Sequence, residues 1–158
     1  MALAGLALSA CGFRLRGEAQ AGLGALYVSA AVPSQVAVAI RRQLSGSTTR
    51  LAADVKSSDA HVQVLSESTE KLIQSLTSAG RVFDYQLRLN VGYQASDAAG
   101  RVLVEPATIE LQRIISYSES APLAKESEER LLYEEMRAEA ASQILRRVAL
   151  VRAGSPAR

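Results

Sequence analysis

The chain has 158 residues, 18 basic and 16 acidic side chains, and a formal net charge of +2. The basic residues are dispersed rather than clustered with aromatics, which excludes the electrostatic footprint of a nucleic-acid binder. Apolar residues make up 48% and aromatics only 4%, so the length and composition point to one domain of ordinary size with an aliphatic core.

The first element reads as a leader. Uncharged residues run from Met1 to Ala10, and Leu8-Ser9-Ala10-Cys11 reads as a lipobox, where a signal peptidase cuts and the new N-terminal cysteine receives lipid. Cys11 is the one cysteine in the chain, so it has no internal disulfide partner and its presence needs another reason. The competing reading is a buried N-terminal helix with an incidental thiol. No Lys or Arg precedes Cys11 and the apolar stretch is short, so residues 1–10 are read as the remnant of a signal peptide that starts upstream. A diacylglycerol and an N-acyl chain on Cys11 would give stable attachment, at about 0.8 kcal/mol per buried methylene. Past Cys11 no apolar run is long enough to cross a bilayer. The mature chain is therefore expected to be anchored to a membrane rather than to span it.

Residues 11–24, with Gly12, Gly17, Gly22 and Gly24, are expected to form a lipidated tether. One domain follows over 25–152, and 153–158 are expected to be a flexible tail. Leu26 and Val28 alternate with Tyr27 and Ser29, the pattern of a short strand. Pro33-Ser34 is a helix start, and Val36, Ile40 and Leu44 recur at the spacing of an amphipathic helix that ends near Gly46. From Ala60 the period becomes two. Val62 and Val64 oppose His61 and Gln63, the polar run Ser66 to Glu70 suggests a bulge or bend, and alternation resumes over 71–76. Ser78-Ala79-Gly80-Arg81 predicts a hairpin turn. Tyr85, Leu87, Leu89, Val91 and Tyr93 then alternate with Gln86, Arg88, Asn90, Gly92 and Gln94, as in an antiparallel strand with one face packed. A second turn at Asp97 to Gly100 precedes a last strand over about 101–117. Ser120-Ala121-Pro122 opens a long helix to about Val151, on which Leu132, Met136, Ala140 and Ile144 form one stripe. Glu126, Glu128 and Glu129 near its start and Arg146, Arg147 and Arg152 near its end complement the helix dipole. The expected fold is α+β: a four-stranded mixed or antiparallel sheet with both helices on one face.

Catalytic chemistry finds little support. His61 is the sole histidine and sits in a strand, where a surface or edge role is commoner than a general base. No Gly-x-Ser-x-Gly elbow is present. Zinc has one histidine and a cysteine assigned to lipid, so no metal site or cofactor is expected beyond the lipid itself. An enzyme is not expected.

The order of landmarks resembles a known family. Cys11-Gly12-Phe13-Arg14-Leu15-Arg16-Gly17 is similar to the mature N-terminus of the LPS-assembly lipoprotein LptE family. The strand-helix opening, the Gly80 turn before Asp84-Tyr85-Gln86-Leu87, the Gly100 turn, Arg113, Leu123-Ala124-Lys125 and the helix segment Met136 to Arg147 follow in the family's order. The resemblance implies a non-catalytic plug in the lumen of the outer-membrane β-barrel LptD, which it helps to assemble, and contact with lipopolysaccharide in transit. Gly12 in place of Asp implies the outer membrane, periplasmic side. The resemblance also implies basic contacts to the lipid's phosphates: Lys125 first, then Arg81, Arg113 and Arg88. Ser78 departs from the family's basic turn residue, and Arg81 is the substitute. For each of these side chains the competing reading is a solvated surface charge. The alternative function is a stand-alone periplasmic lipoprotein that binds a small ligand or a cell-wall component.

Overall fold

The computed structural model describes residues 23–154. The lipobox, Cys11 and most of the expected tether lie outside the described residues, as do residues 155–158 of the expected tail. In chain order the elements are β1 (Ala25–Ala30), α1 (Gln35–Ser45), β2 (Arg50–Leu51), β3 (Ala60–Leu76), β4 (Val82–Ser96), β5 (Val102–Ser116) and α2 (Pro122–Gly154). The strands form one mixed sheet in the order β2-β1-β3-β4-β5. β1 runs parallel to both β2 and β3, while β3, β4 and β5 are antiparallel.

The α+β class and the paired helices are as the sequence suggests, but the sheet has five strands rather than four. The extra strand, β2, pairs only Arg50 and Leu51 with β1 and is too short to carry a period. The terminal segments also differ from expectation. Leu23, assigned to the tether, is buried in the core, and α2 includes Ala153 and Gly154.

Local chemistry explains the elements. Ser34 caps α1, its Oγ accepting from the Ala37 amide at 3.0 Å. Glycine at positive φ closes both hairpins, at Gly80 (φ 74°) and Gly100 (φ 83°). The polar run in β3 is a register shift between Val64 and Ser66, so β3 continues unbroken while its side-chain alternation changes phase. A second shift, where Ala95 pairs with Val104 and Tyr93 with Ala107, contains Pro106. Proline lacks a ladder donor and is tolerated at such a bulge on an edge strand.

Both helices cover the same side of the sheet. Val36, Ile40 and Leu44 of α1 and Met136, Ile144, Leu145 and Val148 of α2 share one buried cluster with Leu26, Val62, Leu87, Leu89 and Val91. Gln43 Nε2 of α1 donates to the Ala138 carbonyl of α2 at 2.8 Å, tying the helices together. Among the described residues no helix covers the opposite face of the sheet, which is mainly polar but also carries exposed Leu72 and Ile114 on either side of Gln86. Its rows include Tyr27 and Ser29; His61 and Gln63; Gln86, Arg88, Asn90 and Gln94; and Thr108, Glu110 and Gln112.

Candidate functional site

The helix-free face is built from side chains that satisfy one another. Gln94 Nε2 donates to Gln63 Oε1 at 2.9 Å across the β3–β4 pair. Gln86 Nε2 donates to Gln112 Oε1 at 2.9 Å, Arg88 Nε to Gln86 Oε1 at 2.8 Å, and Gln112 Nε2 to Glu110 Oε1 at 2.6 Å. Toward β1, Ser29 Oγ and His61 Nε2 are 2.7 Å apart, and the His61 ring lies 5.1 Å from that of Tyr27. Burial lowers the His61 pKa below 6.5, which favours the neutral ring. Alternation along β3, β4 and β5 produces this surface, because the odd positions of β4 go to the helices and the even ones to the open side.

The other candidate region lies where the distal hairpin end of β3, β4 and β5 meets the start of α2. Lys125 Nζ is 2.8 Å from Glu128 Oε2 and 3.2 Å from Ser116 Oγ. Lys71, which sequence reasoning did not single out, joins it in one cleft of about 140 Å³ with Tyr85, Tyr117, Glu126 and Glu129. Lys71 Nζ is 2.6 Å from Glu129 Oε2 and 4.4 Å from the centre of the Tyr85 ring, which stands edge-on to Tyr117. Arg81, in the hairpin turn, pairs with Glu119 in the loop before α2 at 3.1 Å. Lys125, Lys71 and Arg81 are thus brought to the same end of the molecule. Arg113 faces α2 and pairs with Glu139 at 2.5 Å. Arg88 does not join them: it sits on the open face.

These pairings revise the reading of the acidic run in α2. The helix begins at Pro122, so its first turn contains no acidic residue. Glu128 and Glu129 lie beyond that turn, where the dipole term has faded, and act as counter-ions to Lys125 and Lys71. Each pair is at least partly exposed, so it contributes only about 0–1 kcal/mol and an incoming anion can exchange for the carboxylate at low cost.

A third feature is an open groove of about 710 Å³ between β5 and the C-terminal half of α2. Ala107, Ile109, Leu111 and Tyr93 floor it, and Arg146, Arg147 and Leu150 rim it.

Known proteins resemble the chain along nearly its whole length. The profile of the lipopolysaccharide-assembly family LptE matches residues 23–148. The chain belongs to the LptE family. Its relatives include the LPS-assembly lipoproteins LptE of Pectobacterium atrosepticum, 30% identical over 94% of this chain and 82% of the relative, and of Yersinia enterocolitica, 31% identical over 97% and 75%. Among solved structures, lipoprotein B of Nitrosomonas europaea superposes with a TM-score of 0.77 at 30% identity, covering 90% of this chain and 94% of that one. The rare lipoprotein B of Shewanella oneidensis gives 0.69 at 25% identity, covering 82% and 96%. LptE is a family of non-enzymatic lipoproteins of lipopolysaccharide assembly.

Proposed function

We propose that this LptE-family chain is lipidated at Cys11 and held at the periplasmic side of the outer membrane. There its domain sits in the lumen of the LptD β-barrel, supports assembly of that barrel, and assists lipopolysaccharide delivery to the outer leaflet. The observation that carries this reading is the helix-free sheet face with its hydrogen-bonded Gln and Arg side chains. Wide barrels have polar interiors, and such a face can exchange its internal hydrogen bonds for bonds to lumen side chains. The acyl anchor places the domain in the same membrane as the barrel and raises its effective concentration there.

Lipopolysaccharide contact is assigned to Lys125 and Arg81 at the α2 start, with Lys71 beside Lys125, Arg113 farther along β5 where it pairs with Glu139, and Arg88 on the open face. The cleft offers cations next to Tyr85 and Tyr117, a chemistry suited to a phosphorylated amphiphile. Co-expression of the acylated chain with LptD and purification in detergent tests the barrel reading, which predicts a stable complex. Recovery of the chain only as a free lipoprotein would refute it. For the lipid contact, Lys125→Glu is expected to weaken direct lipopolysaccharide binding by about tenfold, the size of one charge-assisted contact, with an unchanged unfolding midpoint. Unaltered binding would remove Lys125 from the site.

A further inference from the structure

The two edges of the sheet are unlike. One is closed by β2, a strand of 2 residues. The other is β5, 15 residues long, with no strand beside it among the described residues. Edge strands of that length normally carry devices that block further pairing. Here Pro106 and the bulge around it guard only the first part of β5. From Ala107 to Ser116 the register with β4 is unbroken, so this stretch presents a row of outward N–H and C=O groups, of which the Gln112 carbonyl already accepts from Arg113 Nη1 at 2.8 Å and would have to be released.

The groove of about 710 Å³ lies along this edge, on its helix-facing side. It is the space that inward side chains of one more strand would occupy. Its floor of Ala107, Ile109 and Leu111 calls for apolar side chains, and Leu150, 68% exposed on α2, overhangs it. Glu110 also lines the groove, but its Oε1 accepts from Gln112 on the other face; Arg146 and Arg147 at the rim have no ion-pair partner among the described residues and call for a carboxylate.

We propose that β5 is completed by an extended segment of the barrel partner, which pairs with Ala107 to Ser116, turns alternate apolar side chains under α2, and presents an acidic residue to Arg146 and Arg147. Main-chain bonding would supply affinity and the groove would supply selectivity. The inference rests on the barrel reading above.

Amide hydrogen exchange on the acylated chain, free and in complex with the barrel protein, tests it. The alternate β5 amides that point away from β4 should exchange about tenfold or more slowly in the complex, as newly paired amides do. The double change Arg146→Glu and Arg147→Glu should weaken complex formation about tenfold at an unchanged unfolding midpoint. A stable complex in which those amides exchange as in the free chain overturns the inference and leaves the barrel reading standing. Failure to form any complex overturns both. Protection that rises with concentration in the isolated chain would make the occupant a second copy. Protection by lipopolysaccharide micelles alone would make it a lipid. Either result also overturns the proposal.

Discussion

Glu67 is the residue on which three elements converge. Its side chain is 7% exposed; Oε2 accepts from Ser34 Oγ at 2.7 Å and from the Val36 amide at 2.9 Å, and Oε1 accepts from Arg137 Nε at 3.1 Å. One carboxylate therefore completes the N-terminus of α1 and ties β3 to both helices. Removing it strands a buried amide and a partly buried guanidinium, so Glu67→Ala is expected to lower stability by about 2–4 kcal/mol. Urea unfolding would measure this, and a loss under about 0.5 kcal/mol, the level of an ordinary surface change, would contradict it. His61 sets a pH dependence. Its folded-state pKa is lowered by burial, so the unfolded chain binds the proton more readily. The favourable contribution is present above pH 6.5 and declines as pH falls below it. The unfolding midpoint of the native chain should fall between pH 7 and pH 5 more steeply than that of His61→Gln. Parallel profiles would show that the imidazole plays no part.

At the level of elements, α2 shows how tightly the helix layer is fitted. Met136, Ala140, Ala141, Ile144, Leu145, Val148 and Ala149 are buried, and the alanines let α1 come close enough for Gln43 to reach the Ala138 carbonyl. Ile144→Ala should cost about 2–5 kcal/mol through the cavity it leaves. Ala140→Leu should cost about 1–3 kcal/mol through overpacking. Calorimetry of both variants separates a close-packed interface, which suffers from either change, from a loose one that accepts the larger side chain. These elements were legible in the sequence where periodicity was long. The β4 alternation and the α1 and α2 stripes carried enough repeats to fix element type and face. β2 was not legible, because a pair of residues has no period. The role of Glu67 was hidden for a different reason: a carboxylate inside the polar run Ser66 to Glu70 looks like solvated surface until the bulge after Val64 turns it toward α1. Lys71 was missed in the same way, since its cleft exists only once β3 meets α2. Lys125 and Arg81 came from the family resemblance, and their neighbours explain the pairing that the sequence alone leaves open.

On the scale of the whole molecule, the asymmetry of the sheet dominates. One side is closed by helices over an aliphatic core; the other is a mainly polar surface, several of whose groups bond among themselves. Association through such a surface exchanges hydrogen bonds rather than burying oil-like area, so it should depend on geometry and charge more than on apolar contact. Arg88 lies near the middle of that surface, hydrogen-bonded to Gln86. Arg88→Glu is expected to weaken association with the barrel by about tenfold, as like-charge or mismatched contacts do, while the unfolding midpoint changes by less than about 0.5 kcal/mol equivalent. Pull-down yield and chemical unfolding measured on the same preparation would check both halves.

The mutual bonding of Gln63 with Gln94 and of Gln86 with Gln112 has a bearing on the time before assembly. On the barrel reading proposed above, the domain would have to stay folded before the barrel closes around it. Because those amides already answer one another, the waiting form needs no escort to mask them. Such a form could stay folded at its anchor until the proposed barrel is made around it.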